Sequence, residues 1–181
     1  MENLYKQVQK NSLFLFMGGL LLVGFFIIAV KINVSISATM IGKPLPAIEK
    51  SQWINRTGDT DDGDGKITLL FFWRPGIKIS EEMLVWGVRW HRKFRTAGLR
   101  VIGVASPSKD EPLTRGKLKK ILREKGITYK VALDETGDYR RKMLHRSFAT
   151  YYITDRQSVI KVVSSGVKGM ETAEKKILGL L

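Results

Sequence analysis

At 181 residues, 44% of them hydrophobic and 9% aromatic, the chain has room for one domain of ordinary size plus an appendage, and its composition excludes a disordered protein. Its 31 Lys and Arg outnumber 17 Asp and Glu, giving a net charge of +14. That excess suits either a solvated basic surface or an acidic partner such as lipid headgroups, nucleic acid, a cell-wall polymer or an acidic protein face. There is no cysteine, so disulfides and thiolate-ligated metals are excluded, while the compartment stays open.

Asn11 to Val30 carries no charge, and Leu13 to Val30 is almost entirely apolar or glycine, between Lys6 and Lys10 on one side and Lys31 on the other. A hydrocarbon core about 30 Å thick needs roughly 20 helical residues, so a transmembrane helix is expected over 12–31. It follows an N-terminal tail (1–11) and precedes a juxtamembrane linker (32–40). A cleaved signal peptide is the alternative, since Ser35-Ile36-Ser37 stands before Ala38. The apolar run exceeds the usual signal core of about 7–15 residues, which favours an uncleaved anchor. The two lysines of the short tail favour a cytoplasmic N-terminus.

The soluble part, 41–181, opens with Ile41-Gly42-Lys43-Pro44-Leu45-Pro46, an extended proline-containing segment. Thr57 to Gly65, with four aspartates, reads as a solvated hairpin turn. A calcium loop framed on Thr60 would place Phe71 where a bidentate Glu is required. Ile67 to Trp73 is a continuous apolar run, short enough for a buried central strand. A helix is predicted from about Glu81 to Ala97, with Met83, Trp86 or Gly87, Trp90 and Phe94 on its apolar face and Gly98 as its stop. Then follow a strand over 99–105, a helix from about Leu113 to Lys125, a short strand over 130–133 and a short helix over 139–145. A hairpin (150–154 and 159–164, turning at 155–158) and a last helix over 171–180 close the chain. Strands alternating with helices, then a hairpin and helix, predict an α/β fold: a mixed central sheet with helices on both faces.

Several local motifs in this order resemble the membrane-anchored thioredoxin-like proteins of the TlpA and ResA type, related to the peroxiredoxins. They are Gly42 to Pro46, Phe72-Trp73 followed by Glu81-Glu82-Met83, Val101-Ile102-Gly103-Val104, Asp134-Glu135-Thr136-Gly137, and Ala149-Thr150-Tyr151-Tyr152-Ile153-Thr154-Asp155. The resemblance covers roughly residues 41 to 178 and implies a thioredoxin-like fold outside the cytoplasm. It also implies that three functional positions are degenerate. The two thiol positions of the C-x-x-C motif fall on Ile77 and Ser80, and the cis-proline facing them falls on Ala149. In such proteins a helix N-terminus lowers a thiol's pKa and the thiolate attacks a disulfide. Isoleucine has no lone pair to donate, and a serine hydroxyl needs a neighbouring base. A cis bond before Ala149 would cost about 3 kcal/mol, so a trans peptide is expected there. No redox activity is carried over.

No other catalytic, cofactor-binding or metal-ligating set stands out. His91 and His145 are far apart in sequence and lack partners at metal spacing, which suits surface or capping roles. Ser80 reads as the N-cap of the helix beginning at Glu81. Trp73 and Trp86 are either core residues or contact anchors. Between Trp86 and Arg146 there are 17 Lys and Arg against 6 Asp and Glu. Arg115, Lys119 and Arg123 recur every four residues and so share one helix face, a candidate docking surface for acidic protein or anionic lipid. No nucleic-acid recognition motif is present.

The expectation is a non-enzymatic, single-pass protein of the plasma (inner) membrane, with its domain on the periplasmic or extracytoplasmic side. It would be an accessory or assembly subunit of a larger membrane complex, with other membrane protein subunits as partners and no cofactor. The alternative is a free-standing extracytoplasmic binding protein or chaperone that grips acidic proteins or polyanions through its basic face.

Overall fold

The computed structural model describes residues 38–55, 65–108, 111–145, 147–148, 150–166 and 168–181. The expected membrane span at 12–31, most of the linker, the aspartate-rich stretch before Gly65 and Ala149 lie outside these residues. Among the described residues no helix is long and apolar enough to cross a membrane.

Six strands form one mixed sheet: β1 (Trp53–Asn55), β2 (Ile67–Trp73), β3 (Leu99–Ala105), β4 (Lys130–Leu133), β5 (Thr150–Thr154) and β6 (Ile160–Ser165), in the order β1-β4-β3-β2-β5-β6. The helices are α1 (Lys78–Phe94), α2 (Arg115–Glu124), α3 (Asp138–Lys142) and α4 (Lys168–Leu178). β2, β3 and β4 run parallel, while β1, β5 and β6 are antiparallel to their neighbours. Two successive right-handed crossovers stepping the same way along a sheet must lie on one face. Accordingly α1 and α2 share a face, where α4 joins them.

Every residue of β2 is buried, as its unbroken apolar run requires. Its side chains alternate. Ile67, Leu69, Phe71 and Trp73 enter the larger core with Met83, Leu84, Trp90 and Phe94 of α1, Leu118 and Leu122 of α2, and Met170, Ala173 and Ile177 of α4. Leu70 and Phe72 enter the opposite core with Met40, Ile102, Val104, Tyr139, Met143 and Tyr152. Tyr129 wedges into the larger core between two glycines. A Cβ on Gly87 would lie 3.0 Å from its ring, and one on Gly103 would lie 3.3 Å from it.

Three expectations change. β1 and β2 are not a hairpin, because β1 pairs with β4 at the far edge, and the side chain of Asn55 completes that pairing. Its Nδ2 donates to the Tyr129 carbonyl (2.8 Å) and its Oδ1 accepts from the Val131 N–H (2.7 Å), where the register shifts. The last helix begins at Lys168, before Glu171. His145 is neither a surface nor a capping residue. It lies past the end of α3, 6% exposed, stacked on Phe72 at 4.0 Å between ring centroids, with Nδ1 3.5 Å from the Tyr152 hydroxyl.

Burial, helped by the Arg140 guanidinium, pushes the His145 pKa down to about 3. The folded imidazole therefore stays neutral where the unfolded one, with its ordinary value of 6.5, takes up a proton. The contribution is complete above pH 6.5 and is lost progressively as pH falls toward 3. Urea unfolding of wild type and His145→Phe at pH 7, 6 and 5 is expected to show the wild type losing stability relative to the variant as pH falls. Parallel pH dependences would contradict this account.

Candidate functional site

β2 ends at Trp73, and four residues, Arg74 to Ile77, turn the chain into α1. Gly76 takes φ +81°, a left-handed conformation in which a side chain would be strained. The helix starts at Lys78, one turn before its expected beginning at Glu81, with Ile77 at the N-cap position and no side-chain cap. Ser80 is consequently not the cap but a residue of the first turn. Its fully buried hydroxyl points back into the loop, accepts from the Arg74 N–H (3.2 Å), and has its proton between the carbonyl oxygens of Arg74 (2.8 Å) and Ile77 (2.9 Å). Glu81 closes the turn from outside. One carboxylate oxygen accepts from the Gly76 N–H at 3.0 Å and the other from Lys125 Nζ at 3.0 Å. These two bonds, the backbone one first, hold its carboxyl below the usual carboxylate range.

Ile77 and Ser80 thus both sit at the strand-to-helix junction, Ile77 half-buried and Ser80 sealed from solvent. Ile77 offers no donor or acceptor beyond its backbone. The Ser80 proton is engaged by backbone carbonyls, and among the described residues no histidine or carboxylate is hydrogen-bonded to the hydroxyl. Without a base the oxygen is not activated as a nucleophile.

Beside this turn the C-terminal ends of β2, β3 and β4 are tied together: the Ser106 N–H donates to the Trp73 carbonyl (3.0 Å) and the Asp134 N–H to the Ala105 carbonyl (2.9 Å). They open onto a cleft of about 450 Å³ lined in part by Arg74, Ser106, Asp134, Arg140 and Phe148. The Arg74 guanidinium lies over the Phe148 ring at 4.1 Å, with that of Arg140 at 5.9 Å from the same ring. Sequence reasoning missed Arg74 and Ser106. The available signal was an arginine placed directly after a fully apolar strand, where its charge must lie at the sheet's end.

The expected basic face divides. Arg115 is exposed, yet its guanidinium donates to the Ser51 carbonyl (2.7 Å) and the Trp53 carbonyl (2.6 Å), fastening α2 to the approach of β1. Lys119 and Arg123 are exposed on the same helix. On α1, Lys93 pairs with Glu174 at 2.5 Å, and Arg89 lies over Trp86 at 5.1 Å. Trp73 is a core residue, while Trp86 is half-buried and stacks against Trp90 at 5.4 Å. His91 is half-buried beside Tyr129.

No protein-family model matches the chain. Two curated relatives, Protein DipZ of Mycobacterium bovis and of Mycobacterium tuberculosis, are 25% identical over 133 residues, covering 71% of this chain and 19% of each relative. The chain thus matches about a fifth of those relatives' length. Among solved structures, a thiol-disulfide isomerase from Corynebacterium glutamicum superposes with a TM-score of 0.67 at 22% identity, over 76% of this chain and 96% of its own. A thioredoxin-like protein in the oxidized form gives 0.65 at 22%, over 76% and 93%. StoA from Bacillus subtilis gives 0.54 at 14%, over 63% and 84%. The chain has a thioredoxin-like fold, in agreement with its motifs.

Replacing Ser80 with Ala leaves the Arg74 N–H without its acceptor and removes one of the two side-chain ties between the loop and α1. A loss of about 1–2 kcal/mol is expected, read as a lower urea midpoint at unchanged slope for the full-length chain in mild detergent. An unchanged midpoint would show that the hydroxyl does not hold the turn.

Proposed function

We propose that this chain is a redox-inactive, membrane-anchored thioredoxin-like protein. It acts as an accessory or assembly subunit of a larger membrane protein complex, such as a respiratory or photosynthetic one. The observation that carries the reading is the pairing of a thioredoxin-like fold with a sequence that contains no cysteine. Proteins named for disulfide exchange need a sulfur nucleophile, and here the strand-to-helix turn holds Ile77 and Ser80, the latter bound to backbone on all sides. The fold is then retained for what it binds. The uncharged run from Asn11 to Val30 supports a single membrane span, with the N-terminal tail cytoplasmic and the domain extracytoplasmic.

A second reading, a free-standing extracytoplasmic binding protein or chaperone for acidic polypeptides, is favoured by the exposed Lys119 and Arg123 on α2. The two readings differ in stoichiometry and salt response. Purification of the full-length chain from its native membrane in mild detergent is expected to give a discrete assembly of fixed composition containing other membrane proteins, persisting through moderate salt. A monomer would overturn the subunit reading. A monomer that gathers acidic polypeptides only at low ionic strength would establish the second.

A further inference from the structure

The cleft at the ends of β2, β3 and β4 holds two like charges and two unanswered polar groups. Burial and the nearby Arg140 guanidinium both disfavour the charge on Arg74 and hold its pKa below the usual arginine value. Arg74 Nε and Ser106 Oγ are buried without a hydrogen-bond partner, and Ser106 as a whole is 2% exposed. Buried polar groups are almost always satisfied, so two orphans lining one cleft are an unusual pair.

The carboxylates nearby do not answer them. Asp134 is fully buried, and its two oxygens are taken by the backbone N–H groups of Tyr139 (3.0 Å) and Arg140 (2.9 Å). Asp138 is engaged by Arg141 and Thr136. Glu135 lines the rim and is exposed. Among the described residues neither guanidinium forms an ion pair. Phe148 fixes the plane of the Arg74 guanidinium, which limits the side-chain freedom lost on binding.

We propose that this cleft is an oxyanion-binding site, which takes one carboxylate or phosphate group between the Arg74 and Arg140 guanidiniums with the Ser106 hydroxyl as a third donor. Planar, forked donors suit both anions. The volume of about 450 Å³ admits the group together with the atoms that carry it. The position, beyond the carboxyl ends of parallel strands, is where open α/β sheets present ligands.

The test is titration of the full-length, ¹⁵N-labelled chain in neutral detergent with inorganic phosphate and, separately, with acetate, each against chloride at matched ionic strength. Saturable shifts confined to Arg74, Ser106 and Arg140 are expected with at least one oxyanion. Phosphate alone identifies a phosphoryl source and acetate a carboxylate source. Arg140→Gln is expected to weaken binding at least about tenfold. Arg74→Lys, which keeps the charge but removes the fork, serves as the check should Arg140→Gln fail to fold. Shifts equal to those of chloride, shifts spread over Lys119 and Arg123, or an affinity unchanged in the folded variants would overturn the proposal.

Discussion

The Ser80 hydroxyl joins a wholly buried strand to the longest helix among the described residues. β2 cannot carry its own turn, because an unbroken apolar run ends in Trp73 and the helix must begin within four residues. The orphan N–H groups of a helix start are ordinarily met by a polar cap, yet the cap position here is isoleucine. Ser80 and Glu81 reach back from the first turn instead, and bind the loop backbone from inside and outside respectively. The larger core follows from this junction. α1 packs on the sheet through this core, and Gly87 lies against the Tyr129 ring.

The same bonds bear on chemistry. A hydroxyl whose proton lies between two carbonyl oxygens is a structural tie, and the chain has no cysteine thiol to take its place. What remains around the turn is electrostatic and steric: a half-buried Ile77, an exposed Ile79, and a cleft in which Arg74 and Arg140 approach one aromatic ring. The domain also carries exposed basic side chains on α2. Its positive charge is partly committed, since Arg115 fastens two elements together and Lys93 and Lys125 are paired with Glu174 and Glu81.

Elements whose pattern follows one period were legible in the sequence. β2 is a pure apolar run, the hairpin of β5 and β6 flanks a polar turn, and α2 shows buried Leu118 and Leu122 at helical spacing. The start of α1 was not legible, because Lys78-Ile79-Ser80 carries no cap in the ordinary place and the serine works backward. β1 was obscured because part of its ladder is supplied by the Asn55 side chain, which no strand pattern reveals. His145 follows three consecutive basic residues and so reads as surface, but α3 ends at Lys142 and the chain then turns inward against Phe72. The cleft was invisible because Arg74 and Ser106 follow two different strands and Arg140 lies on α3, so the three meet only in the fold.

The central claim, a thioredoxin-like architecture without exchange chemistry, is tested most directly by a disulfide-exchange assay on the full-length chain beside its Ile77→Cys/Ser80→Cys double variant. The account predicts no turnover above background for the natural sequence and measurable dithiol-dependent reduction of a disulfide substrate by the variant, because the junction already places residues 77 and 80 at the start of α1. Turnover by the cysteine-free chain would contradict the account, as would a folded variant that forms no reactive pair.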